Sequence, residues 1–140
     1  MLTITPAIKA QIEQHAESTY PHECCGVLIG RTDGHTKDGR VAVEAHRTGN
    51  LNTERAHDRF ELDPRDYMRI DREAGARGLD IIGIYHSHPD HPAQPSATDL
   101  AAAWEGYSYV IVSVRKGKAG DFHSFELAGG AFAQEEVRCP

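Results

Sequence analysis

No stretch of this 140-residue chain approaches the roughly 18 consecutive apolar residues that a membrane-crossing helix requires. A membrane partner is therefore not expected. Lys and Arg total 15 against 21 Asp and Glu, a formal net charge of −6, and the basic residues are scattered without interleaved aromatics. That pattern argues against nucleic acid as a partner. The opening MLTITPAIKAQIEQH lacks the basic segment and apolar core of a secretion signal, so the expected location is cytoplasmic. Three cysteines, Cys24, Cys25 and Cys139, form an odd set without scaffold spacing, in keeping with a reducing compartment. The absence of any CxxC excludes a cysteine-rich zinc knuckle. Hydrophobic residues make up 39% and charged residues 26%, an ordinary balance that argues against disorder and for a single domain over residues 1–140 with one core.

The elements follow from caps and periodicity. Thr5 before Pro6 makes an N-cap with proline at the first helical position, and Ile8, Ile12 and Ala16 recur at helical spacing, which predicts a helix over 6–19. Residues 25–30, CGVLIG, form an apolar run closed by glycine and predict a buried strand. At its start Cys24 and Cys25 read as small, half-buried packing residues, a nucleophilic cysteine being the other reading. A polar connection over 31–40 leads to a strand at 41–46, a surface loop follows over 47–58, and Phe60 with Leu62 marks a short strand. Asp63 and Pro64 cap a second helix carrying Tyr67, Ile70 and Ala74, with Gly78 as its stop. Strands at 81–88, 107–114 and 122–127 and a short helix from Ser96 to about Trp104 complete the order. The expected fold is α/β (α+β), a curved mixed β-sheet flanked by helices.

The stretch GIYHSHPDHPAQPSATDL, residues 83–100, carries the chemistry. On a strand, residues two apart share a face, so His86 and His88 can reach one ion. A catalytic zinc takes three protein ligands and keeps one position for water; with Asp99 as the third ligand, such a water would have its pKa lowered towards about 7. Glu23, directly before the first buried strand, is the candidate proton shuttle, and Ser96 the candidate donor to a developing oxyanion. Each residue also has a plainer reading. HxH pairs occur as packing histidines, Glu23 alone fits a solvated strand edge, and Ser96 with Asp99 matches the [ST]-x-x-[DE] capping box. HECCG begins like the zincin HExxH, but position 26 is glycine. Asp90 and His91 are close enough in sequence to compete as ligands or to lie on a surface loop. His15, His22, His35, His46, His57 and His123 show no ligand spacing and read as surface or packing residues.

Taken together, Glu23 ahead of the CCGVLIG strand, then HSH, seven residues, Ser, two residues and Asp, resembles the JAMM (MPN-plus) metalloprotease family, whose motif is a glutamate followed by HxHx7Sx2D. The resemblance covers essentially the whole chain with no motif position substituted. It implies a cytidine-deaminase-like sheet and a zinc (Zn2+) hydrolase of amide or isopeptide bonds. In that reading Glu23 is the general base, His86, His88 and Asp99 are ligands, and Ser96 is the oxyanion support. Only seven residues separate Asp99 from Tyr107, so the chain resembles the compact bacterial type rather than deubiquitinases with a long insertion there. That type implies a ubiquitin-like sulfur-carrier protein with a Gly-Gly end as partner, trimmed beyond that end or released from a cysteine adduct. The 47–60 loop, with Arg47, Asn50, Arg55 and Arg59, is the expected groove wall. Other readings are a peptidase of cell-wall peptides, a deubiquitinase-like isopeptidase, a non-catalytic MPN scaffold and a cysteine hydrolase.

Overall fold

The structure, a computed structural model, describes residues 1–32 and 39–140. Most of the connection expected at 31–40, with His35, lies outside the described residues. In chain order the elements are β1 (Leu2–Thr3), α1 (Pro6–Thr19), β2 (Cys25–Thr32), β3 (Arg40–Thr48), α2 (Pro64–Ala76), β4 (Asp80–Pro89), α3 (Ala97–Ala101), β5 (Ser108–Arg115), β6 (Lys118–Ala128), β7 (Ala131–Glu135) and β8 (Val137–Arg138). The Thr5 side chain accepts the Ile8 N–H at the start of α1, and the Asp63 side chain accepts the Arg65 N–H at the start of α2. Both helices begin where the cap-plus-proline signal puts them.

One mixed sheet runs β7-β6-β5-β4-β2-β3-β1-β8. Its two edge strands are consecutive in the chain, with Glu136 alone between them. Because successive Cα atoms are about 3.8 Å apart, the edges must meet and the sheet curls almost closed. β4 and β5 are parallel, so the chain needs a crossover between them, and that crossover carries α3. No helix among the described residues is long and apolar enough to cross a membrane.

Alternation along β2 feeds two cores. Cys24 and Leu28 pack with Ile8, Ile12 and Ala16 of α1, whereas Val27 and Ile29 pack with Ile70 and Ala74 of α2. On β4 the alternation changes phase. Its pairing steps from Leu28↔Gly83 to Ile29↔Ile81, leaving Ile82 as a bulged extra residue. Ile82 and Tyr85 therefore face α1, while Ile81 and Ile84 face α2. The phase after the bulge also puts His86 and His88 on the α2 side. Gly26 leaves room for the Tyr85 ring, which a Cβ at that position would strike.

Three expectations need correction. Cys24 and Cys25 are fully buried rather than half-buried, at 2% and 0% exposure. Phe60 and Leu62 form no strand: a single bridge, Asn50↔Leu62, remains, because the Asn50 side chain takes the Glu61 N–H at 2.9 Å in place of a strand partner. The third helix ends at Ala101, short of Trp104, whose N–H goes to the Tyr109 hydroxyl at 2.7 Å. The short strands β1, β7 and β8 carry too few residues to show a pattern in sequence.

His15 is buried on α1 with its Nδ1 2.6 Å from the Tyr85 hydroxyl. Burial, reinforced by the charge of Arg47, lowers its pKa from 6.5 to about 4. Between about pH 6.5 and 4 the unfolded chain binds a proton that the folded chain refuses. The stabilisation is complete above that window and lost as pH falls through it, to the extent of roughly 3 kcal/mol. His15→Gln is expected to flatten the pH dependence of denaturation midpoints across this range relative to the unsubstituted chain. Equal slopes for the two proteins would contradict the assignment.

Candidate metal centre

The end of β4 delivers His86 and His88 to one side, with their Nε2 atoms 3.1 Å apart. Asp99, in the first turn of α3, closes on both: Oδ1 lies 3.3 Å from His86 Nε2 and Oδ2 3.2 Å from His88 Nε2. Asp99 Oδ2 also accepts the Ser96 N–H at 2.8 Å, and Ser96 Oγ accepts the Asp99 N–H at 3.1 Å. The capping box and the site are thus one arrangement, since the cap that starts α3 also aims the carboxylate. Ser96 Oγ acts there as an acceptor, which leaves its own proton free to donate outward.

The two imidazoles are held differently, His88 at its far nitrogen and His86 on its ring face. His88 Nδ1 lies 2.9 Å from the Pro92 carbonyl, which can only accept, so Nδ1 carries the proton and Nε2 faces the cluster. The His86 ring stacks on Phe60 with centroids 4.4 Å apart and planes 23° apart. Its buried Nδ1 has no partner among the described residues. Phe60 and Pro92 were not foreseen as site residues, and neither residue type carries a spacing signal that would have revealed them.

Glu23 arrives from the neighbouring strand. Cys25 pairs with His86, and Cys24 N–H donates to Ser87 Oγ at 2.8 Å, so continuing the antiparallel register sets Glu23 across from His88. Glu23, His86 and His88 form a buried group whose ligand atoms lie within 4.8 Å of one another and could hold a metal ion. Asn50 secures this corner, donating to the Glu23 carbonyl at 3.4 Å and to the Arg59 carbonyl at 3.0 Å.

The two carboxylates have opposite environments. Burial raises Glu23 from 4.5 to about 8, the charge of His88 opposing it only in part. For Asp99 burial also acts upward, but the imidazoles of His86 and His88 beside it outweigh it and hold the carboxyl well below its usual range. Burial lowers His86; for His88 burial is overcome by the Asp99 and Pro92 hydrogen bonds, which raise it.

Two recesses flank the cluster. One, of about 680 Å³, is lined by Phe60, Leu62, Tyr67, Trp104, Tyr107 and Tyr109 and reaches His86 and Asp99. The other is more polar and includes Glu23, Arg59, His88, His91 and Ser96. Of the four expected groove-wall residues, only Arg59 lines these recesses. Arg47 follows the Gly26 register towards Tyr85 and His15 on the opposite face, Asn50 is used within the loop, and Arg55 pairs with Asp58. Asp90 is not a ligand, because its oxygens accept from the Tyr20 hydroxyl and the Lys116 N–H. Of the other histidines, His15 is a packing residue and His22 and His57 are exposed. The cysteine-hydrolase reading loses its basis, since burial raises the Cys24 and Cys25 thiols to about 12 and 11.

Fold and site together define a single-sheet α+β protein with a buried carboxylate-histidine cluster at the carboxyl end of a strand. A family model described as prokaryotic homologs of the JAB domain matches residues 5–128. The chain is similar to a desampylase of Haloferax volcanii, 37% identical over 132 residues, covering 94% of this chain and 88% of that one. It is also similar to a CysO-cysteine peptidase of Mycobacterium tuberculosis, 30% identical over 124 residues, covering 88% and 80%. Among solved structures, a protein from Desulfitobacterium hafniense superposes with a TM-score of 0.86 at 31% identity, covering 100% of this chain and 93% of that one. A protein from Salinibacter ruber superposes at 0.76 with 42% identity, covering 100% and 92%. The chain belongs to the prokaryotic JAB-domain family, as its JAMM motif implied. It is a hydrolase of peptide or isopeptide bonds.

Ser96→Ala removes the acceptor of the Asp99 N–H, and loss of such a cap costs about 1 kcal/mol. Hydrogen exchange at the Asp99 amide is expected to quicken about five-fold. Unchanged exchange would show that the cap does not hold α3.

Proposed function

We propose that this protein is a zinc-dependent peptidase that removes residues beyond the Gly-Gly end of a ubiquitin-like sulfur-carrier protein, with His86, His88 and Asp99 holding the metal, Glu23 as general base and Ser96 as oxyanion donor. The observation that carries this reading is the convergence of His86, His88 and Asp99, whose inward atoms approach at ligand-like spacing. Zinc bonds of about 2.0–2.1 Å to nitrogen, arranged as a tetrahedron, separate neighbouring ligand atoms by about 3.3 Å. The two imidazole Nε2 atoms lie 3.1 Å apart, and each has its own Asp99 oxygen at a similar distance, Oδ1 3.3 Å from His86 and Oδ2 3.2 Å from His88. The donor set of two imidazoles and a carboxylate is also the one a catalytic zinc uses. Glu23 lies near the imidazoles without the direct contact that Asp99 makes, which supports the base role for Glu23 and the ligand role for Asp99. Zinc bound here supplies Lewis acidity towards the scissile carbonyl and an acidified water.

The chain's own groups do the rest. Glu23 takes a proton from the attacking water and delivers it to the leaving nitrogen. A group whose burial already raises its pKa to about 8 is well suited to holding that proton between the two steps. The Ser96 hydroxyl, with its oxygen engaged by the Asp99 N–H, donates to the oxyanion. The substrate reading draws on the relatives named desampylase and CysO-cysteine peptidase, names that denote enzymes of ubiquitin-like small proteins. It also draws on the aromatic recess beside His86 and Asp99, which suits apolar side chains upstream of a glycine pair too small to fill it. Trp104 and Met68, 72% and 60% exposed at that recess, are the anchors for such a tail. The free thiols of buried Cys24 and Cys25 support the cytoplasm as the place of action.

Intact-mass analysis of a Gly-Gly carrier bearing a C-terminal extension tests the proposal. The zinc-loaded chain is expected to remove the extension, whereas Glu23→Ala and chelator-treated protein leave it in place. Processing by Glu23→Ala at the unsubstituted rate would remove that residue as the base. Trp104→Ala is expected to raise KM about ten-fold with kcat little changed, a loss of about 1.4 kcal/mol in tail binding. An unchanged KM would move the tail out of the aromatic recess.

A further inference from the structure

We propose that Asp90 is a positioning residue of the metal site, which fixes the protonation tautomer and aim of His88 by pinning the turn that carries the Pro92 carbonyl. The proposal rests on the reading of His88 as a ligand. Asp90 follows β4 with φ 58°, a left-handed conformation that Asp tolerates better than most residues. Its backbone N–H donates to the Val114 carbonyl at 2.6 Å. Its side chain then joins two further elements: Oδ2 accepts the Tyr20 hydroxyl, at the C-cap of α1, at 2.6 Å. Oδ1 accepts the Lys116 N–H, in the turn between β5 and β6, at 2.9 Å. One exposed carboxylate thus fastens the exit of β4 to a helix end and to a hairpin.

The next residues convert that anchorage into orientation. The His91 carbonyl accepts the hydroxyl of buried Ser113 at 2.7 Å, and the His91 N–H donates to the His88 carbonyl at 3.4 Å. Pro92 then presents its carbonyl to two donors, His88 Nδ1–H at 2.9 Å and the Gln94 N–H at 2.8 Å. With Nδ1 committed as a donor, the lone pair of His88 stays on Nε2, which faces His86 and Asp99. A turn free to drift would withdraw the Pro92 carbonyl and let the proton sit on either ring nitrogen. No atom of Asp90 is needed at the metal for this, because it acts through Pro92.

Two readouts on the full chain test the proposal: long-range proton-nitrogen correlation of the His88 ring without metal, at a pH where the ring is neutral, and zinc affinity by chelator competition. The unsubstituted chain is expected to show His88 as a single Nδ1–H tautomer. Asp90→Ala is expected to show a tautomer mixture and to bind zinc about 10- to 100-fold more weakly, the usual effect of removing an outer support of a ligand. Tyr20→Phe, which removes one of the two side-chain anchors, should fall between, and Asp90→Asn should recover much of the loss, because its amide oxygen still accepts one hydrogen bond. An Asp90→Ala protein with the same tautomer and zinc affinity within two-fold of the unsubstituted chain would overturn the proposal. If Asp90→Ala does not fold, Tyr20→Phe decides by the same two readouts. Failure of the unsubstituted chain to bind zinc would instead sink the metal reading, while the tautomer comparison would still decide the part played by Asp90.

Discussion

The site depends on the ladder between β2 and β4, and above all on the bulge at Ile82 within it. A strand alternates with period two, so one extra residue exchanges the faces of everything beyond it. Without the bulge, His86 and His88 would turn towards α1, into the core now occupied by Tyr85. With it, the imidazoles face the side where α2, the aromatic recess and Asp99 lie. The same ladder carries Glu23, 63 positions upstream of His86 in the sequence, to a place across from His88. Strand pairing thereby solves the problem of bringing distant side chains together without a dedicated scaffold.

Once gathered, the groups divide their labour through environment rather than residue type. Asp99 and Glu23 are both carboxylates within the same small volume. Asp99 lies against two imidazoles and accepts a backbone N–H, which keep it ionised despite burial. Glu23 has burial without comparable compensation and is raised to about 8. Two carboxylates pushed in opposite directions suit the roles proposed for them, a fixed charge for Asp99 and a proton carrier for Glu23. A divalent cation between the imidazoles would favour the ionised form of Glu23, so its proton affinity would follow occupancy of the centre.

Much of this was legible in the chain because the informative residues obey local rules. Thr5-Pro6 and Asp63-Pro64 marked the helix starts, the apolar run after Glu23 marked β2, and HSH on a strand with Ser96 and Asp99 downstream marked the cluster. The bulge was not legible, since Ile82 and Gly83 look like any apolar strand pair and the extra residue exists only relative to β2. Short strands such as Val137–Arg138 hold too few residues to show a period. Two of the three arginines expected along the groove failed for a related reason: which face Arg47 takes depends on its pairing with Gly26, and the engagement of Arg55 with Asp58 needs a folded loop. Asp90 carried no motif signal, because its importance lies in the backbone it holds.

The central claim is that His86, His88 and Asp99 hold one cation while Glu23 stands beside it unbonded. Diffraction from zinc-loaded crystals, with anomalous data collected at the zinc absorption edge, tests this most directly. One strong peak is predicted, in contact with Nε2 of both histidines and an oxygen of Asp99, with the Glu23 carboxylate outside bonding distance. A peak elsewhere, or one bound by Glu23 with Asp99 turned away, would contradict it.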